Sequence, residues 1–83
     1  MNILYFALIR EHIGKSSETI ERPSHVNTVG ELIDHLESSG DNYKAAFAQP
    51  DLIRASVNDQ YVGMDHEIVD DDELAFFPPM TGG

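Results

Sequence analysis

Residues 28–40 read TVGELIDHLESSG. Thr28 and Glu31 stand three apart, the spacing of a capping box, in which hydroxyl and carboxylate satisfy backbone N–H groups that a helix start leaves without partners. Val29, Leu32, Ile33 and Leu36 fall at i, i+3, i+4 and i+7 and so share one face, while Glu31, Asp34, His35, Glu37 and Ser38 take the other. Gly40 is the expected stop. This segment is predicted to be the main helix.

On either side the hydrophobic period changes. Ile3 to Ile9 is a continuous apolar run, followed by Gly14 and Lys15 as turn chemistry, which predicts a strand apolar on both faces with Arg10 and Glu11 as a solvated pair at its end. A more polar strand fits Glu18 to Arg22, making residues 2–22 a hairpin that ends at Pro23. After the helix, residues 42–48 predict a second helical turn carrying Tyr43, Ala46 and Phe47 into the core. Leu52–Val57 reads as a strand, Asn58 and Asp59 as a turn, and Tyr61–Val62 and Glu67–Val69 as short extended pieces. Asp70–Asp72 is a loop, and Leu74–Phe77 is the last strand.

Strand, strand, helix, then two or three strands describes an α+β chain with four to five strands in one mixed sheet and one main helix on one face, the β-grasp arrangement. A single helix leaves the other sheet face open. Leu74 and Phe76 point one way and Ala75 and Phe77 the other, so one set meets the helix and the second needs different cover, as at a protein interface.

With 83 residues, 41% hydrophobic and 24% charged, the chain has the size and composition of one globular domain. Fifteen acidic residues against five basic ones give a formal charge of −10, which repels nucleic acid and anionic membranes. It suits either a basic protein partner or a plain solvated surface. Cysteine is absent, excluding disulfides and thiolate metal sites. The apolar run near Met1 is too short for a membrane span and lacks the charged flank of a signal peptide, so a cytoplasmic location is expected.

The acidic residues Asp65, Glu67, Asp70, Asp71, Asp72 and Glu73 lack the alternating ligands and central glycine of a calcium loop, and His12, His25, His35 and His66 share no metal-ligand spacing. No metal site and no nucleophile motif is expected. Residues 76–83, FFPPMTGG, carry the remaining chemistry. Pro78 and Pro79 fix φ and cannot extend a sheet ladder, so residues 78–83 are expected to form a flexible tail with a stiff, extended base. From Pro79 to Gly83 such a tail reaches roughly 15 Å, the depth of an enzyme pocket. Gly82 and Gly83 have no Cβ to block a narrow tunnel, and the terminal carboxylate would become an electrophile once adenylated.

FFPPMTGG, with YFALIRE followed by Gly14, SVND, and DDDELAFF, resembles the small subunits of molybdopterin synthase in the MoaD and ThiS family of ubiquitin-like sulfur carriers, over the whole chain and in order. That resemblance implies a chain that is not an enzyme alone and stably binds no cofactor. An E1-like adenylyltransferase using ATP and Mg²⁺ would adenylate Gly83, a persulfide donor would convert it to a thiocarboxylate, and the large synthase subunit would receive it in a 2:2 heterotetramer. There the sulfur would pass to cyclic pyranopterin monophosphate. The resemblance places Phe6, Tyr61 and Phe77 at the partner interface, Tyr61 standing where an aliphatic residue is familiar, with Pro78, Pro79, Met80 and Thr81 leading to Gly82 and Gly83. A ubiquitin-like modifier joined through Gly83 to lysines, a carrier for tungsten cofactor or thiamin, and a plain acidic interaction module are the alternatives. FFPP argues against thiamin.

Overall fold

The computed structural model describes residues 1–79, and in them the chain runs β1 (Asn2–Tyr5), α1 (Ala7–Ile13), β2 (Ser17–Thr19), α2 (Val29–Glu37), α3 (Asp41–Ala46), a 3₁₀ turn (Pro50–Leu52), β3 (Arg54–Val57), β4 (Gln60–Val62) and β5 (Glu73–Phe77). The five strands form one mixed sheet in the order β2-β1-β5-β3-β4. β1 and β5 lie parallel at its centre, and the other pairs are antiparallel. This is the expected β-grasp fold.

The capping box of α2 forms. Thr28 Oγ1 accepts from the Glu31 N–H at 3.1 Å, and Glu31 Oε1 reaches back to the Asn27 N–H at 3.2 Å, one residue before the position the motif usually serves. Carbonyls from the loop ahead of Ile68 satisfy two more donors, Val29 N–H on His66 and Gly30 N–H on Met64, so the helix start is anchored across the fold. Val29, Leu32 and Leu36 are buried and Ile33 is half-buried. The helix ends at Ser38, short of Gly40, which instead precedes α3. α3 buries Tyr43 and Ala46, with Phe47 beside them, as the sequence predicts.

The first strand is where the structure departs from expectation. It stops at Tyr5, and residues 7–13 form α1, because Ile9 and Ile13 lie four apart on one buried helix face. Arg10 and Glu11 are therefore helical residues rather than a strand end. Gly14, at φ +90°, closes the helix by donating its N–H to the Arg10 carbonyl at 2.8 Å. The reversal from β1 into α1 puts Ala7 at φ +53°, a left-handed conformation that an L-residue adopts at a cost of about 1 kcal/mol. The second strand is also shifted, to Ser17–Thr19, and β3 begins at Arg54 because Pro50 opens a 3₁₀ turn over the preceding residues.

Inward residues of the sheet, Ile3, Tyr5, Ala55, Val57, Leu74 and Phe76, join those of the helices in one core. The Tyr5 and Phe76 rings stack at 6.4 Å, and Phe47 meets Phe76 edge-on at 5.2 Å. Two tyrosines carry hydroxyls into this setting, and Glu18 accepts from both, Tyr5 at 2.7 Å and Tyr43 at 2.6 Å, while Lys15 lies 3.3 Å away. Burial opposes ionisation of Glu18, but the bonds from Tyr43, Tyr5 and Lys15 outweigh it and hold the carboxyl below its ordinary range. Burial and the bond to Glu18 push both phenols upward, so they remain donors.

Glu18→Ala is expected to destabilise the fold by about 2 kcal/mol at neutral pH, since it leaves two tyrosine hydroxyls without their acceptor. Because the folded carboxyl titrates below its ordinary value of 4.5, its contribution is complete above that pH and is lost as the pH falls through the folded value. The gap in urea midpoint between wild type and variant should therefore narrow on acidification below pH 4.5.

Candidate functional site

Alternation along the strands sets what the outer sheet face presents. Cross-strand pairing aligns Leu4 with Ala75, Ala75 with Ser56, and Ser56 with Tyr61, giving a row that is large at both ends and small in the middle. The result is a depression of about 580 Å³ in the sheet face, walled by Phe6, Phe77, Pro78 and Pro79 and bordered by Asp59 and Glu73. Among the described residues no helix covers it, since the inward side chains of α1, α2 and α3 all join the core on the opposite face.

Phe6 and Tyr61 are 46% and 81% exposed, too much for core residues, and Tyr61 meets Phe77 at 5.5 Å between ring centroids. The two final phenylalanines divide as alternation requires: Phe76 is fully buried and Phe77 is half-buried on the outer face. Phe6 arrives there by a different route from the expected strand. It is the residue before α1, in extended conformation, and its N–H donates to the Phe76 carbonyl at 3.1 Å, continuing the β1–β5 ladder by one bond. Phe6, Tyr61, Phe77, Pro78 and Pro79 thus converge. Met80, Thr81, Gly82 and Gly83 lie outside the described residues. Ala75 takes the outward parity expected for it beside Phe77, whereas Leu4 and Ser56 were not singled out from sequence, although Leu4 shares the outward parity of Phe6.

The SVND stretch holds the edge of this face in place. Asn58 and Asp59, at φ +51° and +69°, form the two-residue hairpin loop joining β3 to β4. Asn58 accepts from the Glu73 N–H at 3.0 Å and donates to the buried Asp72 carboxylate at 2.9 Å, which also accepts the Val69 N–H at 2.8 Å. Within the acidic stretch Asp72 therefore has a structural task, and Asp70 pairs with Arg22 at 2.7 Å.

A family model described as the ThiS family matches residues 3–83. The chain belongs to the ThiS family. Two relatives of this ThiS-family chain are molybdopterin synthase sulfur carrier subunits, from Escherichia coli K12 at 37% identity over all of this chain and 99% of the other, and from Haemophilus influenzae at 34% over the same shares. Among solved structures, SAMP1 from Haloferax volcanii aligns at TM-score 0.78 and 25% identity, covering 100% of this chain and 98% of that one. A chain of the Amycolatopsis orientalis BexX/CysO complex aligns at 0.72 and 28%, covering 99% and 98%.

Inward and outward residues of the ThiS-family sheet should respond oppositely to truncation. Tyr61→Ser is expected to change stability by less than about 1 kcal/mol, whereas Phe76→Ala, two strands away in the sheet, should cost about 3–5 kcal/mol by emptying the core. Urea unfolding of the two variants checks the assignment.

Proposed function

We propose that this chain is the sulfur-carrier subunit of molybdopterin synthase, acting in the cytoplasm and inert as an enzyme by itself. The observation that carries the reading is the convergence of an exposed aromatic face with the point where Pro78 and Pro79 leave the sheet, in a chain matching carrier subunits over its full length. The face is an apolar patch with an acidic border, suited to a partner that is apolar at the contact and basic around it. The partner is the large synthase subunit, in a 2:2 heterotetramer, with Phe6, Tyr61 and Phe77 as contacts and residues 78–81 leading Gly82 and Gly83 into its pocket.

In the proposed cycle a carboxylate oxygen of Gly83 attacks the α-phosphorus of ATP, bound with Mg²⁺ on an E1-like enzyme, and pyrophosphate leaves. A persulfide then displaces AMP from the acyl adenylate, and a second thiol cleaves the resulting acyl disulfide, leaving a thiocarboxylate on Gly83 and a disulfide on the donor side. In the large subunit this sulfur passes to cyclic pyranopterin monophosphate, and water restores the carboxylate. The chain has no thiol to compete for the adenylate. Glycine at position 82 keeps the approach free of a Cβ.

A second reading, a protein modifier joined through Gly83 to lysines, is favoured by the likeness to a protein titled small archaeal modifier protein 1, at TM-score 0.78 and 25% identity. The two readings separate in a reconstituted synthase. Deleting Gly83 is expected to abolish molybdopterin formation with the fold unchanged. Undiminished formation would overturn the carrier reading, and lysine-linked conjugates in place of a thiocarboxylate would favour the modifier.

A further inference from the structure

A second apolar opening lies next to the tail exit, on the helical side. α1 and α3 pack together there, the 3₁₀ turn follows α3, and Leu8, Ala45, Leu52 and Ile53 line a groove of about 290 Å³ between them. Pro78 and Pro79 form part of its wall, and the same two prolines wall the depression on the sheet. Leu8 is 58% exposed and Leu52 50%. Among the described residues six large hydrophobic side chains are exposed, and four of them, Phe6, Leu8, Leu52 and Tyr61, border one or other of these two openings. Exposed apolar side chains scattered singly are ordinary, but their concentration around one point marks a contact surface.

We infer that the groove between α1 and α3 is the second part of one docking surface that closes round the chain at Pro79, and that its occupant is an apolar side chain of the protein that takes up the tail. The inference rests on the carrier reading above, under which that protein is the large synthase subunit. Continuity identifies the occupant: Pro78 and Pro79 belong to both openings, so a partner that encloses the residues after Pro79 meets the groove as well as the sheet. Charge argues against the nearest competitor, a second copy of this chain, because each copy carries a formal −10 and association would bring like charges together. A partner with a basic surround meets no such opposition.

The test is calorimetric titration of the full chain, wild type and variants, into the large synthase subunit, with thermal unfolding as the check on folding. Leu8→Ser and Leu52→Ser alter exposed side chains, so the fold should persist, and each should weaken binding by about tenfold or more, which corresponds to about 1.4 kcal/mol or more for a buried apolar contact. Val69→Ser, exposed but away from both openings, should bind as wild type does. If Leu8→Ser and Leu52→Ser bind like wild type while Tyr61→Ser is weakened, the groove lies outside the interface and the inference fails with the carrier reading intact. Failure of the wild-type chain to bind overturns both. A dimer of the chain alone in sedimentation, dissociated by Leu8→Ser, would assign the groove to a second copy and overturn the inference.

Discussion

The parallel pairing of β1 with β5 is the constraint on which the rest depends. Its register, Ile3 beside Leu74 and Tyr5 beside Phe76, puts four of the core's side chains on the helical side, three of them fully buried and Tyr5 nearly so. The same register sends Leu4, Ala75 and Phe77 outward. A slip of one residue would exchange the two sets, exposing the core and burying the contact face. Because the strands are parallel, the end of β1 and the end of β5 also lie together, and this is why Phe6, far from the tail in sequence, stands beside Pro78. The contact face and the exit of the tail are thus one consequence of one pairing.

The two faces of the sheet are closed by different means. On the inner side α1, α2 and α3 supply apolar cover, and the Tyr5, Tyr43 and Glu18 cluster ties strand, helix and edge strand through one carboxylate. On the outer side the small residues Ser56 and Ala75 leave a hollow between Leu4 and Tyr61, and among the described residues nothing of the chain fills it. Aromatic side chains around a hollow, carried on a backbone fixed by the β1–β5 ladder, are a prepared surface, because docking there does not require the strands to reorder.

Much of this was legible in the sequence. The capping box and the i, i+3, i+4, i+7 spacing located α2 because they are local signals that tertiary packing did not override, and the opposite parities of Phe76 and Phe77 were readable from alternation alone. α1 was not read, because an apolar run of this length suits a strand or a buried helix equally well. The signal that distinguishes them comes later: Ile9 and Ile13 four apart, polar residues between them, and Gly14 directly after as a left-handed stop. Missing α1 also hid Leu8, whose exposure is a property of the helix surface and not of strand alternation. Ser56 escaped notice because a small polar residue becomes part of a face only when its cross-strand neighbours are known.

The central claim is that this prepared surface serves a chemical event at Gly83. Its most direct test is the intact mass of the chain after incubation with an E1-like activating enzyme, ATP, Mg²⁺ and a persulfide donor. The account predicts a gain equal to the replacement of one oxygen by sulfur, confined to the C-terminal peptide and dependent on ATP. An unchanged mass with the activating enzyme, ATP, Mg²⁺ and the persulfide donor all present would contradict it.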